Sequence, residues 1–155
     1  MRFGKFGMGA LALVFTLAWT VTVHAASLEM TDGWVRMPLP GKTMTAAYLT
    51  VRNTGDRVVT LVGATSPDVR KIELHTMTMK DGVMHMTRIE GGVTLAPGAE
   101  HVFRPGGDHL MLFGLRAPAS GDDRLVLNLE LDDGSSVPLS LPWRAADLSG
   151  HGMKH

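Results

Sequence analysis

A two-sheet antiparallel β-sandwich is the fold this sequence predicts, and three observations point to it. From Ser27 onward, short segments rich in Val, Leu, Thr and Ile are separated by Gly, Pro, Asn and Asp. No long stretch repeats its apolar residues every 3.6 positions, so nothing marks an amphipathic helix. Turn signals recur at the regular spacing of stacked sheets. A chain of 155 residues with 45% hydrophobic content can close one such core.

The expected strands, in order, cover residues 29–37, 45–52, 58–65, 69–79, 84–90, 101–104, 109–115, 124–131 and 136–141. Between them lie sequences that tolerate or impose turn backbone: Asn53 to Asp56, Lys80 to Gly82, Ala96 to Gly98, Arg104 to Asp108 and Asp132 to Gly134. The two-residue period is clearest in RLVLNLEL. There Leu125, Leu127, Leu129 and Leu131 face one way, and Arg124, Val126, Asn128 and Glu130 the other. One face of that strand lies on the core. Neither an internal repeat nor a second domain is visible.

The ends of the chain are expected to stand apart from this domain. Residues 1–25 have the three parts of a secretory signal: Arg2 and Lys5, an apolar run, and small residues before a cut after Ala25 or Ala26. The apolar run from Gly9 to Val23 is fifteen residues, short of the roughly 20 that span a bilayer. An exported, periplasmic protein with no stable membrane span after cleavage follows. Its folded domain is then 26–145, and 146–155 is a polar, glycine-containing tail read as flexible.

Composition removes several classes of function. Without cysteine there is no disulfide, thiol chemistry or lipoprotein attachment site, so the core alone must supply stability. After residue 25 the chain holds 13 basic and 15 acidic residues, a formal charge of −2. That balance disfavours nucleic acid as a partner. No nucleophile elbow, phosphate loop or paired-carboxylate site stands out.

What does stand out is ELHTMTMKDGVMHM, Glu73 to Met86, with four methionines and two histidines around one Asp-Gly turn. Methionine is an adaptable core filler, and taken singly most strand methionines are that. Here Ile72 and Leu74 define the apolar face, so His75, Met77 and Met79 share the other face with Lys71 and Glu73. Past the turn, Met84, Met86 and Arg88 share one side, with His85 on the other. A four-residue loop would set Met79 opposite Met84 and Met77 opposite Met86; a three-residue loop with a glycine bulge would shift the pairing by one. Spacing alone leaves Met86 and His85 both open as ligands.

Downstream, His109 and Met111 project from one face of their strand as a two-toothed clamp, after a glycine-rich RPGGD loop that could lift His109 to the rim. Thioether sulfur is a poor ligand for zinc, calcium or magnesium and a good one for Cu(I). Thioethers need lose no proton to bind and form no disulfides, which suits an oxidising compartment.

Over nearly the whole mature chain the sequence resembles the periplasmic Cu(A) copper chaperones, the PCu(A)C family. The stretches that carry the likeness are WVRMPLPGKTMTAAYLTVRNTGD, ELHTMTMKDGVMHM and PGGDHLMLFGL. The family's motif is a histidine, about ten residues, a methionine, about twenty-one residues, then His-x-Met. Here ten residues separate His75 from Met86, twenty-two separate Met86 from His109, and one separates His109 from Met111.

The resemblance implies a cupredoxin-like β-sandwich of Greek-key type and a Cu(I) site made by His75, Met86, His109 and Met111, pictured as shallow and at the rim. Met77, Met79 and Met84 become a collar or transfer ligands, or simple packing. The implied role is a monomeric copper carrier rather than an enzyme, serving the Cu(A) subunit of cytochrome c oxidase or a thioredoxin-like assembly factor. His151, Met153 and His155 in the tail would form a secondary site for copper, including Cu(II). His85 and His101 read as surface histidines, and Trp34, Trp143 and Tyr48 as core or edge aromatics. The competing readings are a copper resistance or storage protein, a copper-dependent redox enzyme on the same fold, and a metal-free interaction module.

Overall fold

The computed structural model describes residues 28–116 and 123–145. The signal segment, the cleavage position and the tail with His151, Met153 and His155 lie outside the described residues. All ten elements within them are strands: β1 (Leu28–Arg36), β2 (Met44–Asn53), β3 (Val59–Thr65), β4 (Val69–Lys80), β5 (Val83–Arg88), β6 (Val93–Leu95), β7 (Glu100–Phe103), β8 (His109–Leu115), β9 (Arg124–Leu131) and β10 (Ser136–Arg144). Among the described residues no helix is long and apolar enough to cross a membrane.

The strands hydrogen-bond in the order β5-β4-β8-β2-β1-β10-β9-β3-β6, with β7 also on β2. The order turns at β1 and β10, the one parallel pair among otherwise antiparallel neighbours, through Val35 opposite Trp143 and Arg36 opposite Arg144. The β5-β4-β8-β2-β1 layer and the β10-β9-β3-β6 layer pack face to face. Val35, Leu49, Leu74, Leu110 and Leu112 of the first layer share one buried cluster with Leu61, Leu95, Leu127, Leu129 and Leu141 of the second. Alternation assigned these faces correctly: Leu125, Leu127, Leu129 and Leu131 are all buried, at 3% exposure or less.

Three differences from the sequence-based expectation have physical causes. Strand β6 was not expected; it is three residues long and set between Gly91-Gly92 and Ala96-Pro97-Gly98. Gly92 sits at φ +84°, and a Cβ there would run into the Leu61 carbonyl oxygen, so only glycine lets the chain approach β3 this closely. Strand β10 runs three residues past the expected end, through Pro142 to Arg144, because β1 gives its last residues a pairing partner. Strand β1 carries a bulge between Thr31 and Trp34, with Asp32 at φ 54°. The extra residue re-aims Trp34 to stand opposite Tyr48.

Strand β2 is the spine of the first layer. One edge pairs with β1; the other is shared by β8 along Met44 to Ala47 and by β7 along Leu49 to Arg52. Strands β7 and β8 run in the same direction on that edge, so they are one strand interrupted at the level of Tyr48. The RPGGD sequence is the interruption, closed by the Arg104 amide donating to the Asp108 carbonyl at 2.8 Å.

Candidate metal centre

The outer face of this first layer, turned away from the core, collects the chemistry. In β4, Leu74 is buried in the core, which sends Glu73, His75 and Met77 to the opposite side. In β8, Leu110 and Leu112 face the core and His109, Met111 and Phe113 face outward. The pairing register sets His75 opposite His109 and Glu73 opposite Met111. On the next strand Ala46 is opposite Met111.

The β4–β5 hairpin settles the register that spacing left open. Asp81 and Gly82 both have positive φ, 52° and 76°, as a two-residue loop of the kind that matches strand twist requires. Met79 pairs with Met84 and Met77 with Met86, while His85 faces Thr78. Met86 is therefore on the face of His75 and Met77, and His85 is on the other.

A cavity of about 470 Å³ opens on this face. Met77, Met86, His109 and Met111 line it, together with Arg36 to Leu39, Met44 and Tyr48. In a flat sheet, Met86 and Met111 would lie two strand spacings and four residues apart, roughly 17 Å. Both nevertheless border this one cavity.

Burial corrects the picture of a shallow rim site. His75, His109 and Met111 are 9%, 6% and 8% exposed, whereas Met86 is 47% exposed. His109 is not lifted to a rim; it opens β8 and lies beneath the loop that precedes it. His75 does not line the cavity wall. Its ring lies 6.0 Å from that of His109 and 6.0 Å from that of Phe113.

Each imidazole has one nitrogen committed. His109 Nδ1 is 3.0 Å from the Gly107 carbonyl oxygen, an acceptor only, so Nδ1 carries the proton and Nε2 keeps the free lone pair. His75 is the reverse. Its Nε2 is 3.0 Å from Glu73 Oε2, and its Nδ1 is buried with no hydrogen-bond partner among the described residues. Glu73 is held in turn, with Oε1 at 2.7 Å from Lys71 Nζ and 3.5 Å from Arg88 Nη1. Hydrogen bonds from Lys71 and then His75, helped by the charge of Arg88, keep the Glu73 carboxyl below the usual glutamate range.

Sequence reasoning missed several residues of this centre. Tyr48 is not simply a core aromatic. It is 4% exposed, lines the cavity, and lies 6.4 Å from the His109 ring and 4.6 Å from Trp34. Burial raises its pKa. The available signal was the alternation of Met44, Ala46 and Tyr48 on one face of β2. Trp143 is a core residue as expected. His85 is exposed, while His101 is only partly so, with Nε2 at 3.0 Å from Asp108 and its ring against Phe103. Met79 and Met84 are exposed, at 65% and 44%, and only Met77 of the three surplus methionines reaches the cavity.

Among the described residues no group of three or more His, Asp or Glu is arranged to hold a metal. The side chains gathered on this face offer imidazole and thioether donors, and thioether sulfur favours a soft ion.

Comparison with known proteins agrees with this architecture. A family profile described as "Putative lipoprotein LpqE-like" matches residues 28–143. The "Putative lipoprotein Lxx21020" of Leifsonia xyli is 34% identical over 133 residues, covering 86% of this chain and 78% of that protein. Among solved structures, the "Copper-bound PCuAC domain from PmoF2" superposes with a TM-score of 0.65 over 79% of this chain and 97% of that one; at 24% identity the likeness is one of fold. The Deinococcus radiodurans structure described as "CuI-DR1885" gives 0.58 at 28% identity, covering 72% of this chain and 74% of that one.

Proposed function

The chain belongs to the LpqE-like family, and on that premise we propose that it is an exported copper carrier that holds Cu(I) through His75, Met86, His109 and Met111. The observation that carries the reading is the buried Nδ1 of His75, unpartnered beside a second imidazole whose Nε2 is free. A buried polar atom without a partner is costly, and a metal ion is one way to satisfy it. The copper-bound relatives of the same fold support the choice of ion.

The burial pattern suits carriage. His75, His109 and Met111 form a buried base whose own donors, imidazole and thioether, are neutral and soft, with the Glu73 carboxylate held on the far nitrogen of His75 by a 3.0 Å contact. Met86, on the exposed hairpin, closes the shell from the solvent side and is the ligand an acceptor can displace first. Copper is cargo here, bound and released by ligand exchange, and the chain acts as a carrier rather than an enzyme. A monomeric protein in the periplasm, passing copper to the Cu(A) subunit of cytochrome c oxidase or to a thioredoxin-like assembly factor, is the role the resemblance favours. The His151, Met153 and His155 tail would hold a secondary copper, Cu(II) included. The description of the relatives as lipoproteins supports export, although this chain has no cysteine to carry a lipid.

X-ray absorption on anaerobically Cu(I)-loaded protein tests the ligand set. Mixed imidazole and thioether scattering, with the sulfur contribution reduced in Met111→Leu and Met86→Leu, is expected. A spectrum of nitrogen and oxygen scatterers alone would defeat the proposal.

A further inference from the structure

We propose that the cavity wall opposite the copper ligands is a docking site for an acidic segment of a partner protein, with Arg36 as its anchor. The inference deepens the carrier reading by naming the chemistry of the partner, and it rests on that reading only for the partner's purpose. A cavity of about 470 Å³ is far larger than one ion needs. Away from His109, Met111, Met77 and Met86, its wall is made by Arg36 to Leu39 and by Met44, Ala46 and Tyr48.

Arg36 lies with its guanidinium 5.3 Å above the Tyr48 ring centre. It is half-buried and makes no ion pair among the described residues. A guanidinium stacked on an aromatic face keeps the edges of its donor fork open, and the group that matches that fork is a carboxylate. Around it the rim is apolar and exposed: Leu39 at 60%, Met44 at 51% and Met86 at 47%. Methionine-bearing rims adapt to protein partners.

Arg36 is the one Lys, Arg, Asp or Glu among the residues that line the cavity. The cavity thus carries a fixed positive charge and no carboxylate, which draws a negatively charged segment and turns away a positively charged one. A flat anionic membrane would meet the exposed lysines equally well. It could not reach Arg36 inside the cavity, and this favours a protein segment.

The test uses the metal-free full chain, so its outcome is independent of whether copper binds. An acetylated peptide alternating Glu and Met is titrated by nuclear magnetic resonance against its counterpart with Gln for Glu. The acidic peptide is expected to bind roughly tenfold more tightly, the size of one charge-assisted hydrogen bond. Its shifts should centre on Arg36, Leu39 and Tyr48, and its advantage should vanish in Arg36→Gln and at high salt. Arg36→Lys, which keeps the charge without the fork, should retain part of it. Equal binding of the two peptides, shifts centred on the β9–β3 layer, or sedimentation with anionic lipid vesicles without peptide binding would each overturn the proposal. Loss of copper binding in a separate titration would defeat the carrier reading and leave this one standing.

Discussion

Glu73 Oε2 lies 3.0 Å from His75 Nε2, which leaves Nδ1 of the same ring buried without a hydrogen-bond partner among the described residues. Glu73 therefore fixes which nitrogen of His75 is left free, and in the proposed copper site that nitrogen would be the ligand, an arrangement common beside metal-bound histidines. Nitrogen-15 correlation spectra of the metal-free protein should show His75 protonated at Nε2 and His109 at Nδ1. Glu73→Gln, whose amide oxygen can still accept, should keep the His75 tautomer. Glu73→Leu should release it and weaken Cu(I) binding by roughly 10- to 100-fold. An unchanged tautomer in Glu73→Leu would show that the contact is incidental.

The same carboxyl predicts a pH dependence. Its pKa is lowered in the folded chain by hydrogen bonds from Lys71 and His75. Its contribution to stability is thus fully present above the ordinary glutamate range and is lost as pH falls through the lowered value. Urea midpoints measured from pH 6 downward should show wild type more stable than Glu73→Gln at the upper end and converging with it at the acid end. A constant difference across that range would exclude the linkage.

Burial separates the two proposed thioether ligands. Met111 is 8% exposed and Met86 is 47% exposed. Met111→Leu conserves volume and should change stability by less than about 1.5 kcal/mol while removing a preorganised sulfur. Met86→Leu removes a side chain that must be ordered from solvent before it binds. Chelator competition should therefore find the larger loss of Cu(I) affinity in Met111→Leu. A larger loss in Met86→Leu would mean that the exposed hairpin, not the buried base, dominates binding.

Away from the site, Gly92→Ala should destabilise the fold by more than about 1 kcal/mol. The residue holds φ +84° and its Cβ would meet the Leu61 carbonyl. Urea denaturation measures the loss, and the copper affinity of the folded variant should be unaltered.

Much of this was legible because strands encode their faces directly. Leu125 to Leu131 and Ile72 to Leu74 gave the core side, and the opposite side then had to hold His75, Met77, His109 and Met111. Two-residue periodicity is silent on which outer-face residues become covered. It could not say that three of the proposed ligands would be buried while Met86 stays about half exposed. Tyr48 was passed over because a tyrosine in a Val- and Ala-rich strand looks like core, and only pairing with β8 and β1 sets it against His109 and Trp34. Glu73 looked like an ordinary outward acid until its contacts with Lys71, His75 and Arg88 were visible. Strand β6 escaped because three residues between glycines are too few to show a period.

The most direct test of copper carriage is an anaerobic competition titration of the full chain against a Cu(I) chelator, run beside the double variant His109→Ala with Met111→Ala. The wild type is predicted to take Cu(I) from the chelator at a tight site that the double variant lacks, while circular dichroism shows both still folded. Equal Cu(I) affinity in the two folded proteins would contradict the assignment of this face as the copper site.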